Sequence, residues 1–158
     1  MVRVEVVQFF RGSRQGLLLL FALMVSTLAL TGCRSVPVTD RTQLMLTSSS
    51  YENRLGEEAY AEYKAQYPRS TNAEYNQALA RCGKAIVEVA GQKDFNWEFL
   101  VLESSTQNAF CLPGGKVAVY SGIMDLMNNE AELAFVVAHE IAHAIARHSG
   151  ERISWGYL

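Results

Sequence analysis

The pattern of apolar and polar residues predicts two amphipathic helices in the region after residue 50. In the first helix, apolar side chains recur at every fourth position, which is the spacing of one helix face. These side chains are Leu55, Ala59, Tyr63 and Tyr67. Pro68 ends this helix because proline cannot donate the next helical hydrogen bond. Thr71 and Glu74 have the spacing of a capping box and open a second helix, which Gly91 closes.

Short runs of β-branched and aromatic residues follow and predict three strands, at 96–102, 107–112 and 116–120. Pro113-Gly114-Gly115 separates the last two runs and predicts a tight turn between them. Together with the helices, these strands indicate an α+β fold with a small β-sheet.

A longer helix is predicted at 130–148, after a short one at 121–127. Neither proline nor glycine interrupts it, and apolar residues cover most of its circumference, so we expect it to lie buried in the domain. Asn129 with Glu132 predicts its cap, and Gly150 its end.

The N-terminal region has the pattern of a secretion signal. Three arginines precede a 14-residue apolar run at 17–30, which is shorter than the roughly 20 residues of a membrane-spanning helix. The run leads into Leu30-Thr31-Gly32-Cys33, which resembles the lipobox of bacterial lipoproteins and implies that Cys33 is lipidated. The alternative is an ordinary signal peptide that ends near a cysteine. We therefore expect residues 1–32 to be the signal peptide of a lipoprotein.

The residue after the predicted lipidation site bears on the compartment. By the same resemblance, an aspartate there favours retention at the inner membrane, and this chain has Arg34. We expect the protein to be lipid-anchored to the outer membrane on its periplasmic side. Residues 33–50 then form the lipidated N-terminus and a tether, whose apolar patch at 44–46 docks onto the body.

Composition indicates which partners are excluded and how many domains the chain forms, and the cysteine count raises the question of a disulfide. With 14 Lys and Arg against 16 Asp and Glu, and no basic block, nucleic acid is not an expected partner. The 49% hydrophobic and 19% charged residues fit one globular domain. A disulfide could persist between Cys82 and Cys111 in an oxidising compartment, but we expect two buried free thiols.

The long predicted helix contains a candidate catalytic motif, His139-Glu140-Ile141-Ala142-His143. Residues four apart project from one helix face, so both imidazoles can reach a single Zn²⁺ ion. Glu140 lies about 100° around the helix, where it can act as general base on a zinc-activated water. By chance this pentamer would arise in only about 0.4% of chains of this length. The motif therefore predicts a catalytic zinc site.

The residues after the motif narrow the type of zinc site. A metzincin needs glycine and histidine where this chain has Ala146 and Ser149. His148 is nine residues from His139 and lies about 180° around a regular helix, so we do not expect it to complete the site. The remaining possibility is a gluzincin arrangement, with a third ligand, usually glutamate, from a later helix.

Three segments resemble the CAAX-prenyl-protease-like zinc metallopeptidases, whose bacterial members include periplasmic lipoprotein proteases and β-barrel assembly-enhancing proteases. They are NAFCLPGGKVAVYSG at 108–122, NEAELA at 129–134, and HEIAH followed by ARH at 139–148. The resemblance implies an α+β zincin-like half-domain with Zn²⁺ as cofactor. It also implies endopeptidase action on unfolded or misassembled envelope proteins.

In that family a strand before the metal helix binds the substrate backbone. Either 108–112 or 116–120 matches it, and we take Asn108, Ala109 and Phe110 as the substrate-binding residues.

The resembled family takes its third zinc ligand from a glutamate well downstream of the motif helix. Here Glu151 is the only carboxylate after His143, and we expect it to lie beyond the helix end. We therefore interpret 51–158 as the N-terminal part of a metallopeptidase domain that is not competent alone. An alternative is a catalytically inactive envelope lipoprotein that binds or scaffolds proteins.

Overall fold

A computed structural model describes residues 16–24, 33–36 and 41–157. Most of the predicted signal peptide, including the residues just before Cys33, lies outside the described residues. Residues 16–24 are helical and exposed. Among the described residues, no helix is both long and apolar enough to cross a membrane.

Runs of helices and runs of short strands follow one another along the chain, which agrees with the predicted α+β class. In order, the elements are α1 (16–24), β1 (Cys33–Ser35), β2 (Thr42–Leu44), α2 (Ser49–Gln66), α3 (Ala73–Ala90), β3 (Glu98–Leu102), β4 (Ala109–Leu112), β5 (Lys116–Tyr120), α4 (Ser121–Met124), α5 (Glu130–Ile145) and α6 (His148–Gly156). All three strands predicted between 96 and 120 are present, although the first two begin two residues later than expected.

Strands β3, β4 and β5 form the sheet that positions the motif helix. Strand β5 lies in the centre, parallel to β3 and antiparallel to β4. Gly114 and Gly115 turn the chain from β4 into β5 with φ of 82° and 88°, a conformation that glycine adopts without strain. In the described part of the chain, β4 is thus an edge strand with one side unpaired.

The sheet separates two apolar clusters. On one face, α3 and α5 pack against it through Leu79, Val101, Val117, Val137 and Ile141, all nearly inaccessible. On the other face, α2 packs through a second cluster that contains Tyr60, Leu102 and Tyr120. The fold therefore has three layers, with the sheet in the middle.

Local capping explains where two of the helices begin and one ends. Asn129 caps α5 as predicted, and Gly91 ends α3 with φ of 66°. The prediction that Thr71 caps α3 is wrong, because the cap is the next residue, Asn72. Its Oδ1 accepts hydrogen bonds from the backbone N–H of Glu74 at 3.0 Å and of Tyr75 at 3.2 Å.

The single helix predicted at 130–148 is in fact two helices. Helix α5 ends at Ile145, Arg147 adopts the left-handed conformation with φ of 56°, and α6 begins at His148. Gly150 does not stop a helix as predicted; it lies buried within α6. A Cβ atom there would lie 2.3 Å from Glu52 Oε1, so glycine permits close packing of α6 onto α2.

Helix α5 is buried on one face only, contrary to the prediction of a buried central helix. Its inner face contains Leu133, Val137, Ile141 and Ala144. On the outer face, Phe135 is 75% exposed, and both histidines of the motif are exposed. Because apolar residues surround most of α5 but its inner face alone is packed, an apolar strip on its outer face is uncovered among the described residues.

The segment at 41–48, within the predicted tether, packs against α6. Strand β2 pairs with β1, and Met45 of the expected docking patch is buried, whereas Leu46 is exposed. Two further bonds hold the segment: Gln43 Nε2 donates to the carbonyl of Ala146 at 3.1 Å, and Leu46 N–H donates to Ser154 Oγ at 2.8 Å. This segment therefore contacts the chain on both sides of the break between α5 and α6.

Candidate metal centre

Helix α5 brings the two motif histidines together on its exposed face. The Nε2 atoms of His139 and His143 are 3.0 Å apart, and the two rings are nearly perpendicular. Two nitrogens that share a tetrahedral zinc ion at 2.0–2.1 Å are separated by about 3.3 Å. The two imidazoles therefore fit a shared zinc ion with only a small adjustment.

Glu140 lies beside this pair and lines an open cleft. The cleft has a volume of about 670 Å³, and Glu140 and His143 form one of its walls. Strand β4 contributes Phe110 and Leu112, and α6 contributes His148 and Trp155. A carboxylate, an imidazole and an edge strand therefore open onto the same space.

The two strands that match the family's substrate-binding strand differ in how they are paired. Strand β5 is paired on both sides and offers no free backbone, whereas β4 keeps one edge unpaired in the described part of the chain. Of the three residues proposed to bind substrate, Phe110 lines the cleft. Ala109 is buried in the core, and the carbonyl of Asn108 accepts a hydrogen bond from Tyr120 N–H at 3.0 Å. The structure thus brings only Phe110 of these three next to Glu140 and His143.

The structure places His148 against the motif, which the helical spacing did not predict. His143 Nδ1 lies 2.5 Å from His148 Nδ1, on the side of the ring away from His139. Burial and the neighbouring His143 lower the pKa of His148. The expectation that His148 lies on the far side of the helix is wrong, because it assumed a regular helix through Arg147. Neither glycine nor proline marks the break, so no local signal in the sequence indicates it.

A buried ion pair holds the turn at the end of α5. Arg147 Nε donates to Glu52 Oε2 at 3.0 Å, and its Nη2 donates to Glu52 Oε1 at 2.7 Å. The same Nη2 reaches the carbonyl of Thr47 at 3.2 Å, and Thr47 Oγ1 donates to Glu52 Oε1 at 2.5 Å. Only 3% of the Glu52 side chain is exposed. Each oxygen of this buried carboxylate therefore accepts at least one hydrogen bond.

Glu151 lies beyond the end of the motif helix, as predicted, but within the second helix, α6. It pairs with Arg41, whose Nη1 donates to Glu151 Oε1 at 3.1 Å, and this hydrogen bond lowers the pKa of Glu151. Within the part of the chain that the structure describes, no three His, Cys, Asp or Glu side chains are grouped to hold a metal ion. The side chains whose nitrogens approach one another closely enough to share a zinc ion through Nε2 are those of His139 and His143.

Cys82 and Cys111 are free and buried, which confirms the prediction of unpaired thiols. Cys111 is on β4, where burial raises the pKa of its thiol to about 12. Burial also raises the pKa of Cys82. Both thiols therefore stay protonated at neutral pH and are poor nucleophiles.

Two histidines four residues apart, a glutamate between them and an adjacent edge strand define a class of protein, the HExxH zinc metallopeptidases. Comparison with known proteins identifies the family. Residues 73–158 match peptidase family M48, so the chain belongs to this family of zinc metallopeptidases. This membership confirms the family resemblance found in the sequence and the zinc cofactor that it implies.

Individual relatives come from mitochondria and from bacteria. Mitochondrial metalloendopeptidase OMA1 of Schizosaccharomyces pombe is 39% identical over 123 residues, which cover 76% of this chain and 36% of that protein. Metalloprotease YcaL of Escherichia coli is 29% identical over 143 residues, which cover 83% of this chain and 55% of that protein. A Vibrio cholerae relative with the name of a beta-barrel assembly-enhancing protease is 37% identical over 73 residues, covering 46% of this chain and 15% of its own. The chain thus spans only part of the length of each relative.

Proposed function

We propose that the full-length protein is a zinc-dependent endopeptidase in which His139 and His143 bind the metal and Glu140 is the general base. The observation that carries this proposal is the 3.0 Å approach of the two Nε2 atoms on an exposed helix face, beside a cleft that Glu140 lines. Membership of peptidase family M48 supports it.

The chain's own residues supply most of the proposed chemistry. Bound zinc would act as a Lewis acid that polarises the scissile carbonyl and lowers the pKa of the attacking water. The Glu140 carboxylate then takes a proton from that water and passes it to the departing amide nitrogen. The free edge of β4 holds the substrate backbone as an added strand, because its unpaired N–H and C=O groups pair with an extended peptide.

Strand addition also indicates the kind of substrate. A peptide can pair with β4 only when it is extended and its own backbone groups are free, which folded proteins rarely offer. We therefore propose unfolded or misassembled proteins as substrates, and the name of the Vibrio cholerae relative fits this choice.

We further propose that the substrates are bacterial envelope proteins and that a lipid on Cys33 anchors the enzyme to the outer membrane on its periplasmic side. The leader pattern and the bacterial relatives support this location, whereas the OMA1 relatives are mitochondrial. Mass spectrometry of the mature N-terminus tests it. A lipid-modified Cys33 as the first residue is expected, and any other mature start contradicts the anchor.

The catalytic assignment is tested with full-length protein on a reduced and alkylated protein substrate. We expect Glu140→Gln to lower kcat by about 10²–10⁴-fold while the zinc content stays unchanged. We expect His139→Ala and His143→Ala to lose the metal itself, and a chelator to stop cleavage by the wild type.

Glu132→Gln is the matched control, since Glu132 lies on the same helix but hydrogen-bonds only around the helix cap. It should cleave at the wild-type rate. Full activity in Glu140→Gln would overturn the assignment of the general base. Wild-type protein that binds zinc but cleaves nothing would instead support the binding or scaffolding alternative.

A further inference from the structure

We infer that His148 is a positioning residue for His143: it accepts a hydrogen bond from His143 Nδ1 and thereby leaves Nε2 as the metal-binding atom. This inference rests on the proposed role of His143 as a zinc ligand. It assigns a function to a side chain outside the five-residue motif.

The two ring nitrogens of His143 face different partners. Nε2 lies 3.0 Å from His139 Nε2, and Nδ1 lies 2.5 Å from His148 Nδ1. A neutral imidazole carries its proton on one nitrogen and binds a metal through the other. If Nε2 binds zinc, Nδ1 carries the proton and needs an acceptor, and His148 Nδ1 is at the required place. His148 then carries its own proton on Nε2.

This contact exists only because the helix breaks. Side chains five residues apart on a regular α-helix point about 140° away from each other, so His143 and His148 could not meet. The left-handed Arg147 redirects the chain, and α6 starts with the His148 ring 4.8 Å from the His143 ring, centroid to centroid. Left-handed backbone is unfavourable for a residue with a Cβ atom, so other contacts must stabilise this turn.

Glu52 supplies those contacts from a distant part of the chain. Its buried carboxylate binds the Arg147 guanidinium through two hydrogen bonds, and Gly150 allows α6 to approach it closely. The orientation of His148 therefore depends on an ion pair between α2 and the turn. A hydrogen-bond partner on the second ring nitrogen, as His148 is for His143, fixes the tautomer and the direction of a metal-bound histidine.

Zinc affinity of the full-length protein tests the inference, measured by competition with a chromogenic chelator. His148→Leu removes the acceptor and should weaken zinc binding by about 10–100-fold. His148→Gln keeps an acceptor oxygen and should recover most of the affinity. Ser149→Ala is the control: Ser149 also lines the cleft, and the alanine variant should stay within about twofold of the wild type.

A second measurement does not depend on any variant folding. In zinc-loaded wild-type protein, long-range ¹H–¹⁵N spectra of His143 should show the proton on Nδ1 and the metal on Nε2. Metal on Nδ1, or unchanged zinc affinity in folded His148→Leu, overturns the inference and leaves the proposed peptidase intact. Wild-type protein that binds no zinc overturns both.

Discussion

Ion pairs of two cations, Lys116 and Arg147, link α2 to the rest of the molecule. The cation is the more buried partner at Lys116, whereas the carboxylate is the more buried partner at Arg147. Lys116, at the start of β5, is fully buried, but its carboxylate partners Glu98 and Glu57 are 43% and 53% exposed. At the turn after α5, the carboxylate of Glu52 is the more buried partner, 3% exposed against 17% for Arg147. Lys116 therefore has two hydrated partners, whereas Arg147 has one carboxylate that is shielded from water.

The difference lies in what remains after one partner is lost. Burial by itself would lower the pKa of Lys116, but its hydrogen bonds to Glu98 and Glu57 outweigh that effect, and the pKa is raised. Removing one of these carboxylates leaves the other, and a backbone carbonyl at Asn96 also accepts from Lys116 Nζ at 2.8 Å. The Arg147 guanidinium would keep only the carbonyl of Thr47. The two sites therefore differ mainly in whether the cation keeps a carboxylate partner after one is removed, and less in how deeply the cation is buried.

The largest effect is expected from Glu52→Ala. An unpaired guanidinium in a mostly buried position should cost about 3–5 kcal/mol of unfolding free energy. Glu57→Ala is the matched change on the same helix and should cost at most about 1 kcal/mol, because that carboxylate is half exposed and Glu98 remains. Urea denaturation of both variants measures the contrast, and equal losses would refute the importance of redundancy.

A smaller effect is expected when α6 is pushed away from Glu52. In Gly150→Ala the added methyl would meet the Glu52 carboxylate at 2.3 Å, and we expect a loss of about 1–3 kcal/mol in unfolding free energy. Gly156→Ala is the control in the same helix, since nothing lies within 4 Å of its Cβ position. It should be neutral or slightly stabilising because alanine favours helix. Equal urea midpoints for the two variants would show that α6 does not depend on close approach to Glu52.

The smallest effect is expected at the ion pair of Arg41 and Glu151, in which the arginine side chain is 52% exposed. The hydrogen bond to Arg41 lowers the pKa of Glu151 below its ordinary value of 4.5. A carboxyl of this kind contributes stability that is complete above its unfolded pKa and is lost as the pH falls through its folded pKa. The urea midpoint of the wild type should therefore approach that of Glu151→Gln as the pH falls below 4.5 and through the lowered pKa of Glu151. Added salt should shrink the difference at neutral pH, and a difference that grows on acidification would contradict the assignment.

Features that depend on neighbouring residues could be predicted from the sequence. The alternating run at 116–120 is a strand with the predicted bounds, and Gly91 ends α3 as its freedom of φ suggests. The four-residue spacing of His139 and His143 places both rings on one side of α5. Each of these features is decided within one or two helical turns or one strand, so local patterns carry enough information. The choice of capping residue for α3 could not be predicted, because Thr71 and Asn72 are both good caps and lie next to each other.

The break between α5 and α6 was decided by tertiary structure alone. Residues 144–149 contain neither glycine nor proline, and their local preference is to continue the helix. The turn is stabilised by Glu52, 95 positions away in sequence from Arg147, through a buried ion pair that no local pattern announces. The same distant contact decides where the His148 ring lies relative to His143. The sequence by itself thus determined the identity and spacing of the motif residues. The folded chain determined which side of α5 is exposed, which strand has a free edge and which ring faces His143, because these depend on contacts between elements far apart in sequence.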